Sequence, residues 1–219
     1  NPCRHVQKFH EHARERMLSN EELARLGETL NTHEGSPYVV AAIKLLVFTG
    51  ARLSEVLGLR WEQVDFERGE ARLTVHKTSR TTGAKTLHLP PPALEVLAHL
   101  PRAEGNPHVI VGHVTGRPLV NIQKPWREIR AAAGLDDVRI HDLRHCFASI
   151  PASSGMGLPI IGRILGHSQP QTTNRYAHLA ADPVKAAAAS VAGSIEAAMG
   201  GGASASVVSL HAAGKRPSS

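Results

Sequence analysis

The chain has 219 residues, 42% of them hydrophobic and 20% charged, with a formal net charge of +6 at pH 7 and a pI near 9.7. That length suits one sizeable soluble domain with a small appendage, and the positive balance suits a polyanionic partner. The two cysteines, Cys3 and Cys146, are too few for a disulfide framework or a cysteine-built zinc site; no apolar run is long enough to span a bilayer and no signal segment opens the chain, so a cytoplasmic location with no membrane partner is expected.

Residues 1–17, NPCRHVQKFHEHARERM, are polar and basic without an apolar face, and read as a linker or arm. LSNEELARLGETL follows, with a Ser19-x-x-Glu22 capping box and apolar residues at helical period. The next helix is SPYVVAAIKLLVFTG, with Ser36 expected as N-cap, Pro37 at the first helical position and Gly50 as the stop. ARLSEVLGLRWEQVDFE reads as a short helix running into a turn. ARLTVHK alternates like a strand, TSRTTGA is a polar turn and KTLHLP is a second strand, so a hairpin is set into a helical chain. Further helices are expected around 91–100, 121–133, 142–154, 158–166, 170–177 and 183–198. From residue 200 onward the chain is small, polar and aperiodic, and reads as a disordered tail. The expected fold class is mainly α with a small antiparallel β-sheet, an α+β arrangement.

The segment HDLRH poses the functional question. Taken as a loose H-E-x-x-H, it offers His141 and His145 as zinc ligands with Asp142 as the base. That reading fails on chemistry: Asp142 is one methylene short, Arg144 places a fixed charge beside a dication, and fourteen histidines make chance spacings common. No metal and no cofactor are expected. The competing reading places His141 and Arg144 at a helix start, a setting suited to phosphate.

Three other stretches keep it company. In TGARLSEVLGL, Arg52 follows the helix-ending Gly50, and its rigid donor fork can take two phosphate oxygens while Glu55 orients it. In LGHSQ, His167 follows Gly166, and in TTNRYAHL the chain sets Tyr176 between Arg175 and His178. Each stretch alone is explained by an ordinary ion pair, cap or half-buried ring. Together and in this order, they resemble the catalytic domain of the tyrosine recombinases, or phage-type integrases.

The resemblance covers roughly residues 18–180 and implies that the chain breaks and rejoins DNA strands without metal. Arg52, Arg144 and His167 would bind the scissile phosphate, Tyr176 would attack it to give a 3′-phosphotyrosyl enzyme, and His141 and His167 would donate hydrogen bonds or move the tyrosine proton. The family uses a hairpin lysine to protonate the leaving 5′-oxygen; Lys77 is the choice here, with Lys85 and Arg80 as the alternatives. Double-stranded DNA would be the partner, bound by a homo-tetramer. Residues 1–17 would then join a preceding DNA-binding domain, 18–180 form the catalytic domain, 181–199 a C-terminal helix that packs on a neighbouring protomer, and 200–219 a tail. Pro151 departs from the pattern, since a continuous helix is expected after Arg144 and an interior proline costs about 3 kcal/mol. A type IB topoisomerase and a non-catalytic DNA-binding module are the alternative readings.

Overall fold

A computed structural model of the chain describes residues 16–73, 85–179 and 183–199. The expected linker therefore lies outside the described residues up to position 15, as do residues 74–84, which hold the end of the first expected strand, the expected turn, Lys77 and Arg80, and the expected tail from 200 onward. Arg16, at the start, is tied by ion pairs of 2.6 Å to Glu22 and 2.7 Å to Asp137.

Helix α1 (Asn20–Thr32) begins as its sequence predicts: Ser19 Oγ accepts the Glu22 N–H at 3.2 Å, and the Glu22 carboxylate accepts the Ser19 N–H at 2.9 Å. Helix α2 (Pro37–Thr49) has Pro37 in its first turn, but the Ser36 side chain makes no capping bond, so Ser36 holds the N-cap position without capping through its hydroxyl. Gly50 ends α2 in the left-handed region at φ 60°, where its N–H bonds the Leu46 carbonyl at 3.1 Å. A residue with a Cβ is strained in that conformation, and a Cβ here would also lie 2.4 Å from the Phe147 ring. Val39, Ala41, Ala42, Ile43, Leu45 and Leu46 leave α2 buried nearly all round, which makes it the central helix; α4 (Pro91–His99) and α6 (Ile140–Ser153) pack on it.

After the short α3 (Leu53–Leu57), the chain forms three antiparallel strands in the order β1 (Val64–Asp65), β2 (Glu70–Leu73) and β3 (Lys85–His88). The expected hairpin is the β2–β3 pair, with Ala71 opposite Leu87. Strand β1 is an addition that the sequence did not announce, because two residues carry no readable alternation. Ala71, Leu73 and Leu87 face the core. Helix α5 (Gln123–Ala132) buries Trp126 and Ile129, and the Trp126 indole N–H donates to the Val138 carbonyl at 3.2 Å.

The segment from Ile140 to Leu179 holds His141, Arg144, His167 and Tyr176. Helix α6 runs unbroken from Ile140 to Ser153, and Pro151 falls in its final turn, where the missing N–H disturbs only the helix end. Helix α7 (Leu158–Leu165) stops at Gly166, left-handed at φ 66°. The helix expected over 170–177 is shorter: α8 (Pro170–Asn174) ends before Tyr176, and a 3-10 turn covers Ala177–Leu179. A satellite hydrophobic cluster of Ala148, Ala152, Ile161, Leu165 and Tyr176 lies between α6, α7 and this turn, beside the main core. The contact pattern separates residues 1–181 from 182–219; the second unit contains α9 (Pro183–Ala198), whose Val191 and Ile195 are exposed. Among the described residues no helix is long and apolar enough to cross a membrane.

Candidate active site

Glu55 organises one side of the site. It sits in the first turn of α3, with its side chain 1% exposed, and its carboxylate accepts the Arg52 backbone N–H at 2.9 Å, the Arg52 guanidinium at 2.8 Å and the Lys85 ammonium at 2.7 Å. Burial by itself would raise the Glu55 pKa; the Lys85 hydrogen bond and charge, followed by Arg52, outweigh it and keep the carboxyl below its ordinary value. Lys85 is pulled down as well, by burial first and by the charges of Arg144 and Arg52, which together exceed the help from Glu55. One carboxylate is shared between two cations, so the acid is held ionised while the pair of cations is only partly compensated. The orienting role expected for Glu55 thus has a direct geometric basis.

Arg144 links two helix ends. Its guanidinium donates to the Gly50 carbonyl and, at 2.8 Å, to the Leu165 carbonyl. Both acceptors lie where a helix has run out of its own N–H donors, at the end of α2 and of α7. The side chain is buried, and burial followed by the nearby Arg52 lowers its pKa to about 10, still high enough to keep the guanidinium charged. Gly166 has a second reason to be glycine: a Cβ there would come 2.3 Å from the Lys85 Cε, so the lysine stem passes against bare backbone. Arg52, Lys85, Arg144 and the Gly166–His167 turn are therefore built into one another.

His167 is half-buried, with Nδ1 2.8 Å from the Thr173 hydroxyl. Burial, then the charges of Arg144, Arg52 and Lys85, push its pKa down to about 4, which places the ring among those cations and leaves it neutral. His145 is also pushed down to about 4, by burial and then Arg175, and its Nδ1 lies 2.7 Å from the Tyr176 hydroxyl. With its one ring proton on Nε2, the neutral imidazole accepts a hydrogen bond from the Tyr176 hydroxyl at Nδ1. Tyr176 is 6% exposed, and burial raises its pKa while Arg175 and Arg144 act against that rise. The ring of His141, the exposed residue of an otherwise buried first turn of α6, meets that of His145 edge-on at 4.7 Å.

Arg52, Glu55, Arg144 and His167 thus gather as expected, and Tyr176 stands next to them in the α6–α7 cluster. Lys77 lies outside the described residues. Lys85, the alternative to Lys77 in the sequence reading, is the lysine that the described residues place in the site. Two partners were missed outright: His145, noticed only as a zinc ligand, and Thr173. Their one sequence signal is spacing: His145 sits beside Arg144, and Thr173 three residues before Tyr176. Among the described residues no three His, Cys, Asp or Glu side chains converge as a metal site, and His145 is engaged with Tyr176 instead.

The sequence pattern of the phage integrase family matches residues 3–182. Tyrosine recombinase XerD of Corynebacterium glutamicum is 32% identical over 157 residues, covering 66% of this chain and 49% of that protein. The crystal structure of XerA recombinase is similar with a TM-score of 0.64 at 24% identity, over 82% of this chain and 64% of that one. XerH site-specific recombinase bound to difH substrate, in a pre-cleavage complex, is similar with a TM-score of 0.60 at 24% identity, over 73% of this chain and 49% of that one. The chain spans about half the length of the curated relatives it matches.

Proposed function

The chain belongs to the phage integrase family, and on that premise we propose that it cuts and rejoins double-stranded DNA at specific sites through a covalent 3′-phosphotyrosyl intermediate. The observation that carries this reading is the convergence of Arg52, Arg144 and His167 next to the buried Tyr176. A phosphodiester transition state gathers charge on its non-bridging oxygens, and two guanidiniums held by fixed partners stabilise that charge without having to reorganise. Arg52 is held by Glu55 and Arg144 by two backbone carbonyls, so each fork arrives already aimed.

The Tyr176 hydroxyl attacks the phosphorus, the bond to the 5′-oxygen breaks, and the phenol proton passes to a neighbouring base; religation reverses these steps. His141, exposed in the first turn of α6, is proposed to hydrogen-bond the phosphate. The 5′-oxygen takes a proton as it leaves. Lys85 is committed to Glu55 as a counterion, which leaves Lys77 as the proposed general acid. The active assembly is proposed to be a homo-tetramer on DNA, with α9 presenting its exposed Val191 and Ile195 to a neighbouring protomer, and the reaction is placed in the cytoplasm.

A randomised pool of nicked duplex DNA tests the reading. Protein–DNA adducts isolated on denaturing gels and sequenced are expected to reveal a preferred site, and two copies of that site should exchange strands in the presence of EDTA. Adducts that form without exchange would favour topoisomerase-like relaxation, and no adduct on any sequence would refute the reading. The two lysines separate on a substrate with sulfur at the bridging 5′ position, whose leaving thiol, with a pKa of about 8.5, hardly needs an acid. Sulfur should restore cleavage by Lys77→Ala to near the wild-type rate. Lys85→Ala should stay slow on both substrates, because it leaves the buried Glu55 carboxylate to Arg52 alone and draws that guanidinium away from the phosphate. Rescue of Lys85→Ala with Lys77→Ala still slow would reverse the assignment.

A further inference from the structure

We propose that Thr173 is a positioning residue that sets the proton of His167 on Nε2, by donating its hydroxyl hydrogen to Nδ1. The inference rests on the reading of the site as a phosphate clamp and adds a residue to it. Thr173 is 2% exposed, and its Oγ1 lies 2.8 Å from His167 Nδ1. The hydroxyl also lies against α7: a Cβ on Gly162 would approach Oγ1 to 2.9 Å, so the glycine leaves the room in which it sits. The same α7 residue fixes the histidine backbone, since the His167 N–H donates to the Gly162 carbonyl at 2.9 Å. Thr173 also reaches the nucleophile, because its carbonyl accepts the Tyr176 N–H at 3.0 Å. One buried residue thus connects the ring among the cations with the turn that bears the tyrosine.

The tautomer follows from what the ring must face. His167 is neutral, with its pKa near 4, so it carries one ring proton. Were that proton on Nδ1, donated to Thr173, the Nε2 lone pair would point at an oxygen of the phosphate drawn in by Arg52, Arg144 and Lys85. Two acceptors would then oppose each other. With the threonine donating, Nε2–H becomes a donor to that oxygen, and no proton transfer or charge change is needed before the phosphate binds. The arrangement is analogous to the outer partner of a metal-bound histidine, which fixes ring and tautomer through the nitrogen that does not touch the ligand.

Thr173→Val removes the hydroxyl and keeps the volume, and Thr173→Ser keeps the hydroxyl. The full chain labelled with 15N-histidine is expected to show the His167 proton on Nε2 by NMR, in wild type and Thr173→Ser, and a mixture of tautomers in Thr173→Val. On the randomised nicked-duplex pool, Thr173→Val should form adduct about tenfold more slowly, with Thr173→Ser within about twofold of wild type. In a His167→Ala background, Thr173→Val should produce no further slowing, whereas a residue acting only through packing would slow both backgrounds alike. A wild-type proton on Nδ1, an unslowed Thr173→Val, or an equal loss in the His167→Ala background overturns the proposal. Failure of the wild-type chain to form any adduct would instead refute the functional reading, and the NMR result would still decide the tautomer.

Discussion

Tyr176→Phe is expected to bind DNA as the wild type does and to form no covalent adduct at all. The ring lies in the apolar cluster with Ala148, Ala152, Ile161 and Leu165, and phenylalanine fills the same volume. What disappears is one oxygen and its hydrogen bond to His145. Losing that bond costs about 1 kcal/mol, partly offset because a half-buried imidazole can turn to solvent. The fold and the cationic surface are therefore retained, while the oxygen proposed to bond phosphorus is gone. Gel-shift binding on the selected site, beside denaturing gels for the adduct, separates the two properties. An adduct in Tyr176→Phe would mean that another residue is the nucleophile, and the mechanism would fall with it.

The second large effect is expected at Arg144. Arg144→Lys keeps the charge but replaces a planar fork with a single ammonium, which cannot span the Gly50 and Leu165 carbonyls and also face a phosphate. Cleavage should fall by roughly a thousandfold or more, the range seen when one fixed donor to a developing oxyanion or phosphoryl charge is removed. Stability should fall too, by about 1–3 kcal/mol, because one of the two helix-end carbonyls is left without its donor. Arg52→Lys makes the comparison informative. Its side chain is 25% exposed and its partner Glu55 keeps Lys85, so cleavage should drop as severely while the melting temperature moves less. Cleavage by Arg144→Lys within tenfold of wild type would show that Arg144 only staples the helix ends.

The contrast between these arginines shows what is legible in a sequence. Arg52 and Glu55 are three residues apart on one helical turn, and a short spacing of complementary charges is a local signal. Arg144 gives no such hint, since its partners are main-chain carbonyls at Gly50 and Leu165, and any residue has a carbonyl. Lys85 and Lys77 read alike on paper. Only the registration of β3 against β2 and the bare backbone of Gly166 bring Lys85 to Glu55.

The sequence by itself determined the helix starts and stops at Ser19, Pro37 and Gly50, the mainly helical class with its β2–β3 pair, and the residue types able to hold and attack a phosphate. These are properties of neighbours in the chain: caps, left-handed stops, periodicity and functional groups act over a few residues. Tertiary structure alone decided that Glu55 is shared between Arg52 and Lys85, that Tyr176 lies buried against His145, that Thr173 holds His167, and that a third strand edges the sheet. Each of those depends on contacts between segments far apart in the chain or on burial, and burial is a property of the packed whole: the same tyrosine or lysine has its ordinary proton affinity in water and a shifted one only after its surroundings have closed around it.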